Sequence, residues 1–157
     1  MRSAAAALAC LALTLGCTSD DPTTAPQFFP LAYTDFVAAA PLDVAAPSTV
    51  VIRDQPAWDA FWQAHAPGGG VAPAVDFSQK MLIGVFWGAG YSGCTQYVSA
   101  IDSVNLRIDG VNTTGVIEVE VGALPGLGNC LTLVFPLQMI EIDTTSTPVD
   151  FIGMVPS

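Results

Sequence analysis

The chain has 157 residues, with 14 Asp and Glu against 4 Lys and Arg and a single His, for a formal charge of −10. That length fits one domain of ordinary size, and 52% apolar content with 11% charged residues excludes a disordered acidic tail. Four basic residues cannot build the basic stripe that phosphate recognition needs, which excludes nucleic acid as a partner.

Residues 1–16 read as a targeting segment and are set aside before fold reasoning. Arg2 supplies a positive start, and the uncharged run from Ala4 to Leu15 is too short to cross a bilayer, which takes roughly 20 apolar residues. Leu13-Thr14-Leu15-Gly16-Cys17 resembles a bacterial lipobox, in which the Cys becomes the lipidated first residue of the mature protein. Thr14 stands where Leu is usual, and Leu15 where a small residue is usual. Cys10, after Leu8-Ala9, is a second candidate, and an ordinary secretory signal is the alternative to a lipoprotein one. If Cys17 carries lipid, Cys94 and Cys130 remain as an even pair in an oxidising compartment. Each buried CH₂ of an acyl chain contributes about 0.8 kcal/mol of anchoring. The acidic chain gains no attraction to anionic lipid, so the membrane contact would be the lipid alone. The expected location is the bacterial cell envelope, outside the cytoplasm. Residues 17–30, rich in Asp, Thr and Pro, read as a flexible tether, and residues 31–157 as one β-rich domain.

Within that domain, Tyr33-Thr34-Asp35-Phe36-Val37 is a weak strand and Thr49-Val50-Val51-Ile52-Arg53 a better one. Residues 38–46 between them read as loop. Asp54 is a helix N-cap with Pro56 in the first turn. Trp58, Phe61, Trp62 and His65 follow at i, i+3, i+4 and i+7, and Pro67 with three glycines stops the helix. A helix of about three turns is marginal alone, so its aromatic stripe must dock on a sheet. Residues 80–87 are apolar on both alternating faces, as in a central strand covered on both sides. Residues 96–109 form a long strand whose two phases are reconciled by a bulge near Asp102-Ser103. Ile117, Val119 and Val121 point inward, with Glu118 and Glu120 outward as solvated charges. Leu131, Leu133, Phe135, Leu137 and Met139 alternate as one further strand, in which Pro136 hints at an edge or a bulge. Residues 149–155 close the series. Six or seven strands at hairpin-like spacing with one early helix predict a mainly β fold. The expected form is an antiparallel sandwich or curled sheet.

The run Val51-Ile52-Arg53-Asp54 with Trp58-Asp59-Ala60-Phe61-Trp62, then Val75-Asp76-Phe77 and Lys80-Met81-Leu82-Ile83-Gly84-Val85-Phe86, resembles the PrcB C-terminal domain family. That family is named for an accessory lipoprotein subunit of a bacterial surface protease complex. The glycine-rich turn Gly88-Ala89-Gly90-Tyr91-Ser92-Gly93 and the final Val149-Asp150-Phe151 continue the likeness, which covers about residues 48–154. The chain departs from the family in carrying Cys94 in the turn and Asn129-Cys130-Leu131 at the start of the penultimate strand. The resemblance implies non-catalytic binding or stabilisation of a protein partner, such as a secreted protease or its complex, and offers no catalytic residue to carry over.

The residues themselves give little chemistry. A Ser-His-Asp site would have to use His65, and Ser92 lacks the second glycine of a G-x-S-x-G elbow. A hydrolase reading would therefore require His65, which is more simply a packed or capping side chain. With one His and a paired Cys couple, zinc lacks ligands. Asp109-Gly110-Val111-Asn112 matches only a fragment of a calcium loop, so no metal or cofactor is expected. Asn112-Thr113-Thr114 fits a glycosylation acceptor that a bacterial lipoprotein makes moot.

Joined, Cys94 and Cys130 contribute roughly 3–4 kcal/mol in the chain-entropy account. They would tie the turn 88–93 to the base of the Leu124- and Leu127-bearing tip 122–129. A pre-ordered tip loses less entropy on docking, which makes Tyr91, Leu124 and Leu127, with Trp87 beneath, a candidate partner-binding edge. Two other readings stay open. The leucines can fold back and plug the sandwich end, or Trp87 and Tyr91 can form a stacking platform for a glycan or small ligand.

Overall fold

The computed structural model describes residues 25–38, 40–110 and 115–156. The targeting segment with Cys10 and Cys17, most of the expected tether and Asn112-Thr113-Thr114 lie outside them. Among the described residues, no helix is long and apolar enough to cross a membrane.

The elements in chain order are β1 (Gln27–Pro30), β2 (Thr34–Asp35), β3 (Ser48–Ile52), α1 (Gln55–His65), β4 (Lys80–Phe86), β5 (Tyr91–Gly93), β6 (Ile101–Ile108), β7 (Val116–Val121), β8 (Thr132–Val134), β9 (Leu137–Asp143) and β10 (Val149–Gly153). One sheet has the order β1-β6-β7-β10, a second β2-β9-β4-β3, and β5 with β8 makes a small ribbon. The fold is thus mainly β, and its pairings are antiparallel except β7 with β10, which is parallel.

The two four-stranded sheets enclose one core. Met81, Ile83 and Val85 of β4 and Ile140 and Ile142 of β9 meet Val104, Ile117, Val119 and Val121 from the other sheet. The opposite face of β4 and β9 carries Leu82, Phe86, Leu137 and Met139. There it packs a second core with Trp58 and Trp62 of α1 and Leu42 and Val44 of the preceding loop. Strand β4 is therefore covered on both faces, as its unbroken apolar run predicts.

Helix α1 forms as its sequence dictates. Asp54 Oδ1 accepts from the Ala57 N–H at 2.8 Å, satisfying one of the unpaired first-turn donors, and Pro56 sits in that turn. The indole N–H groups of Trp58 and Trp62 donate to the Pro73 and Gly70 carbonyls, at 2.8 and 3.1 Å. Both buried rings thus satisfy their one polar atom on the chain that folds back after the helix.

A buried amide clamps the sandwich. Gln138, on the inner face of β9, accepts from the backbone N–H groups of Ala100 and Ile101, both at 2.7 Å. Its Nε2 donates to Asp35 Oδ1 at 2.9 Å. One side chain thereby satisfies two donors where the chain crosses into β6.

Several expectations change. Gln27–Pro30, read as tether, is an edge strand paired with β6 from Gln27↔Ile108 to Pro30↔Asn105. Its phenylalanines gain cross-strand partners that the composition of a linker does not disclose. The long strand begins only at Ile101. The register shift between Ile101 and Ser103 sits where the bulge was expected, but Tyr97 makes only an isolated bridge to Leu137. The strand expected over 131–139 breaks at Phe135-Pro136, because proline supplies no ladder donor there. Its first part turns away, leaving Leu131 and Leu133 exposed. Glu118 is not a solvated charge: it is 7% exposed and pairs with the Arg107 guanidinium. Glu120 is exposed and accepts from Ser103 Oγ at 3.0 Å.

Replacing Gln138 by Leu keeps the volume and removes the acceptor shared by Ala100 and Ile101. We expect a loss of about 1–3 kcal/mol for each donor orphaned, read by urea unfolding, together with faster amide exchange at those two residues.

Candidate functional site: the stapled pole

Cys94 and Cys130 lie at disulfide distance, with sulfurs 1.98 Å and Cα atoms 4.9 Å apart. Beside them the Cys94 N–H donates to the Leu127 carbonyl at 2.7 Å. Strand β5 pairs with β8 through Tyr91↔Val134, Ser92↔Leu133 and Gly93↔Thr132. Gly93 is required where it stands, because an added Cβ would lie 2.5 Å from Leu127 Cβ. The glycine turn and the 122–129 segment are therefore joined by a covalent bond, a backbone hydrogen bond and a close packing contact.

These segments gather at one end of the sandwich. The register sets Ile101 opposite Val121 at this pole, and Ile108 opposite Gln27 at the other. Of the residues singled out from the sequence, Trp87 is 7% exposed and belongs to the inter-sheet core. Tyr91 and Leu124 are half-buried against the same core. Leu127, also half-buried, lies over Gly93. All four come together, and three of them close the end of the sandwich. A buried Trp87 presents no open ring face, so the stacking platform drawn from the sequence does not form around it.

On the ribbon, two leucines expected in a regular core strand are held out to solvent. Leu131 is 101% exposed and Leu133 59% exposed. They alternate onto one face of the ribbon with Ser92, the cross-strand partner of Leu133. A signal for this surface lies in the charge pattern. No Asp, Glu, Lys or Arg occurs from residue 81 to 101, nor from 121 to 140. In a chain of charge −10, both segments that build this pole are uncharged.

The other candidate chemistry disperses. His65 packs against Phe61 with the rings tilted by 46° and their centroids 4.7 Å apart, and its Nδ1 lies 3.4 Å from the Asp43 carbonyl. Ser92 is on the ribbon. Among the described residues, no group of three or more His, Cys, Asp or Glu is placed to hold a metal ion. At the pole opposite the disulfide, Leu31, Leu106, Ile117 and Ile142 floor a cleft of about 240 Å³. Its rim includes Thr145, and Arg53 holds this stretch by donating to the Thr145 and Thr147 carbonyls at 3.0 and 2.6 Å.

Tyr97, next to the staple, donates its hydroxyl to the Ala38 carbonyl at 3.2 Å. Burial pushes its phenol above the ordinary value of 10.0, because ionisation would place charge in a poorly solvated site. In comparisons with known proteins, the chain matches no family model, no curated protein and no solved structure.

Two outcomes follow. The paired Cys94→Ala and Cys130→Ala variant is expected to lose roughly 3–4 kcal/mol in denaturant unfolding, and dithiothreitol treatment of the native chain should match it. A raised folded-state pKa means that Tyr97 supports the fold while protonated. That contribution is complete below pH 10 and is lost as pH rises through the folded value. Absorbance titration near 295 nm should show one late-ionising tyrosine, absent in Tyr97→Phe.

Proposed function

We propose that this chain is a non-catalytic module of the bacterial cell envelope, anchored by lipid at Cys17, which binds or stabilises a protein partner through its stapled pole. The resemblance to the PrcB C-terminal domain family suggests a secreted protease complex as that partner. The observation that carries the reading is an uncharged, disulfide-tied ribbon presenting Leu131 and Leu133 to solvent. Adjacent exposed leucines gain hydration free energy only when something covers them, at about 25 cal/mol per Å². Covalent closure limits the order that docking must still impose.

The direction of the chain supports the same arrangement. Gln27 enters the fold beside Ile108, at the pole remote from the disulfide. Cys17 precedes it by ten residues, which reach at most about 35 Å when extended. An anchor there would attach the domain by its entry pole, on the side away from the ribbon.

In the native envelope, Leu131→Ser with Leu133→Ser is expected to abolish crosslinking to the partner while leaving the melting temperature unchanged. Leu124→Ser with Leu127→Ser should lower the melting temperature, because Leu124 closes the sandwich and Leu127 packs over Gly93. Retained crosslinking by the first pair would overturn the assignment of the ribbon. Metabolic labelling with a fatty acid should be lost in Cys17→Ala and kept in Cys10→Ala; the reverse pattern would move the anchor.

A further inference from the structure

Strand β10 ends its sheet, and among the described residues no strand pairs with its outer side. The ladder fixes which of its groups are free. Pro148 O accepts from the Ile117 N–H at 2.8 Å, and the Met154 N–H donates to Val121 O at 2.7 Å. In a parallel pair, alternate residues bond to the same neighbour. Residues 148, 150, 152 and 154 therefore face β7, and Val149, Phe151 and Gly153 direct their N–H and C=O groups outward.

The opposite edge of the same sheet is different. Leu31 N–H donates to Val104 O at 2.8 Å, so residues 27, 29 and 31 bond to β6. The outward positions are Pro26, Phe28 and Pro30, and two of these three have no N–H to offer. Prolines at outward positions prevent further pairing. Edge β1 is thus blocked and edge β10 is open, with an N–H at each of its three outward residues.

The side chains around β10 state what would fit. Asp150 stands opposite Glu118 and Ile152 opposite Glu120 on the outer face, where the described cation is Arg107, already paired with Glu118 and Asp109. Asp150 is exposed, and Ile152 is 39% exposed beside it. On the other side, Val149 and Phe151 are half-buried against the core, as is Val51 of β3, the end strand of the facing sheet. An added strand would set alternate side chains over this apolar seam and the rest beside Asp150.

We propose that β10 accepts an extended segment of a partner protein as a fifth strand, with apolar residues alternating with Lys or Arg. Main-chain bonds to Val149, Phe151 and Gly153 supply the pairing, and exposed Asp150 selects basic side chains. A second copy of this chain is the poorer occupant, because each carries a formal charge of −10 and like charges would meet. This surface is separate from the stapled ribbon, so it stands or fails independently of the function proposed above.

The test uses the full chain in detergent and a labelled peptide of alternating Lys and Val, followed by fluorescence anisotropy and amide hydrogen exchange. We expect binding that weakens with salt, is about tenfold weaker in Asp150→Lys, and slows exchange at Val149, Phe151 and Gly153. The corresponding Glu-Val peptide should not bind. Absence of Lys-Val binding, or binding that leaves those three amides unprotected, would overturn the proposal. So would their protection in a peptide-free dimer, which would give the edge to a second copy. Melting of Asp150→Lys separates lost recognition from lost folding, and equal affinity in that variant would also refute the role of charge.

Discussion

Strand β4 has no polar face to offer water. Its odd residues need one apolar layer and its even residues another, and the chain supplies both. The β6-β7 pair lies over Met81, Ile83 and Val85, and the aromatic stripe of α1 lies over Leu82 and Phe86. A strand buried on both sides has one tolerable register, since a slip by one residue exchanges the two layers. Gly84 sharpens this constraint. A Cβ there would come within 2.9 Å of the Phe86 ring and Val50 Cγ1, so the aromatic ring occupies space that any other residue would claim.

With β4 and β9 fixed, the two ends of the sandwich follow. At one end the strands run out into uncharged loops, and Trp87, Tyr91 and Leu124 are drawn onto the exposed end of the core. At the other, Lys80 pairs with Asp143 at 2.7 Å and Arg53 holds the loop around the cleft. Charged side chains thus occupy the β6-β7-β10 sheet, the helix layer and the entry pole, and at the stapled end Asp102 stands beside Gly122. An acidic protein approaches another acidic surface with least repulsion through segments that carry no charge of their own, and the disulfide ties together two such segments.

Much of this was legible because local and long-range preferences agree. Asp54, Pro56 and the Trp58-Phe61-Trp62 spacing all specify the same helix. The two-sided apolar run of β4 specifies a middle layer, and Cys94 and Cys130 are the two cysteines within residues 31–157, which makes the staple their one pairing there. Legibility ended where partners distant in sequence decide the outcome. Phe28 and Phe29 read as linker residues until β6 pairs with them. Leu131 and Leu133 keep the alternation of a core strand, yet Pro136 ends that ladder and β5 draws the segment outward. Glu118 has the spacing of a surface charge, but its burial depends on Arg107, eleven residues earlier across a hairpin.

The same dependence on distant pairing explains why the two edges of the outer sheet are unequal. Proline is informative in a strand only when its bonding phase is known, and the phase comes from the neighbouring strand. Pro26 and Pro30 fall on the outward phase of β1, where their missing donors deny a further strand without harm to the pairing with β6. Pro148 falls on the inward phase at the start of β10, where its carbonyl serves the ladder and its lack of an N–H leaves the outer side unprotected. One residue type thus closes the sheet at one edge and leaves it open at the other. The difference is set by a single-residue phase relative to the adjoining strand.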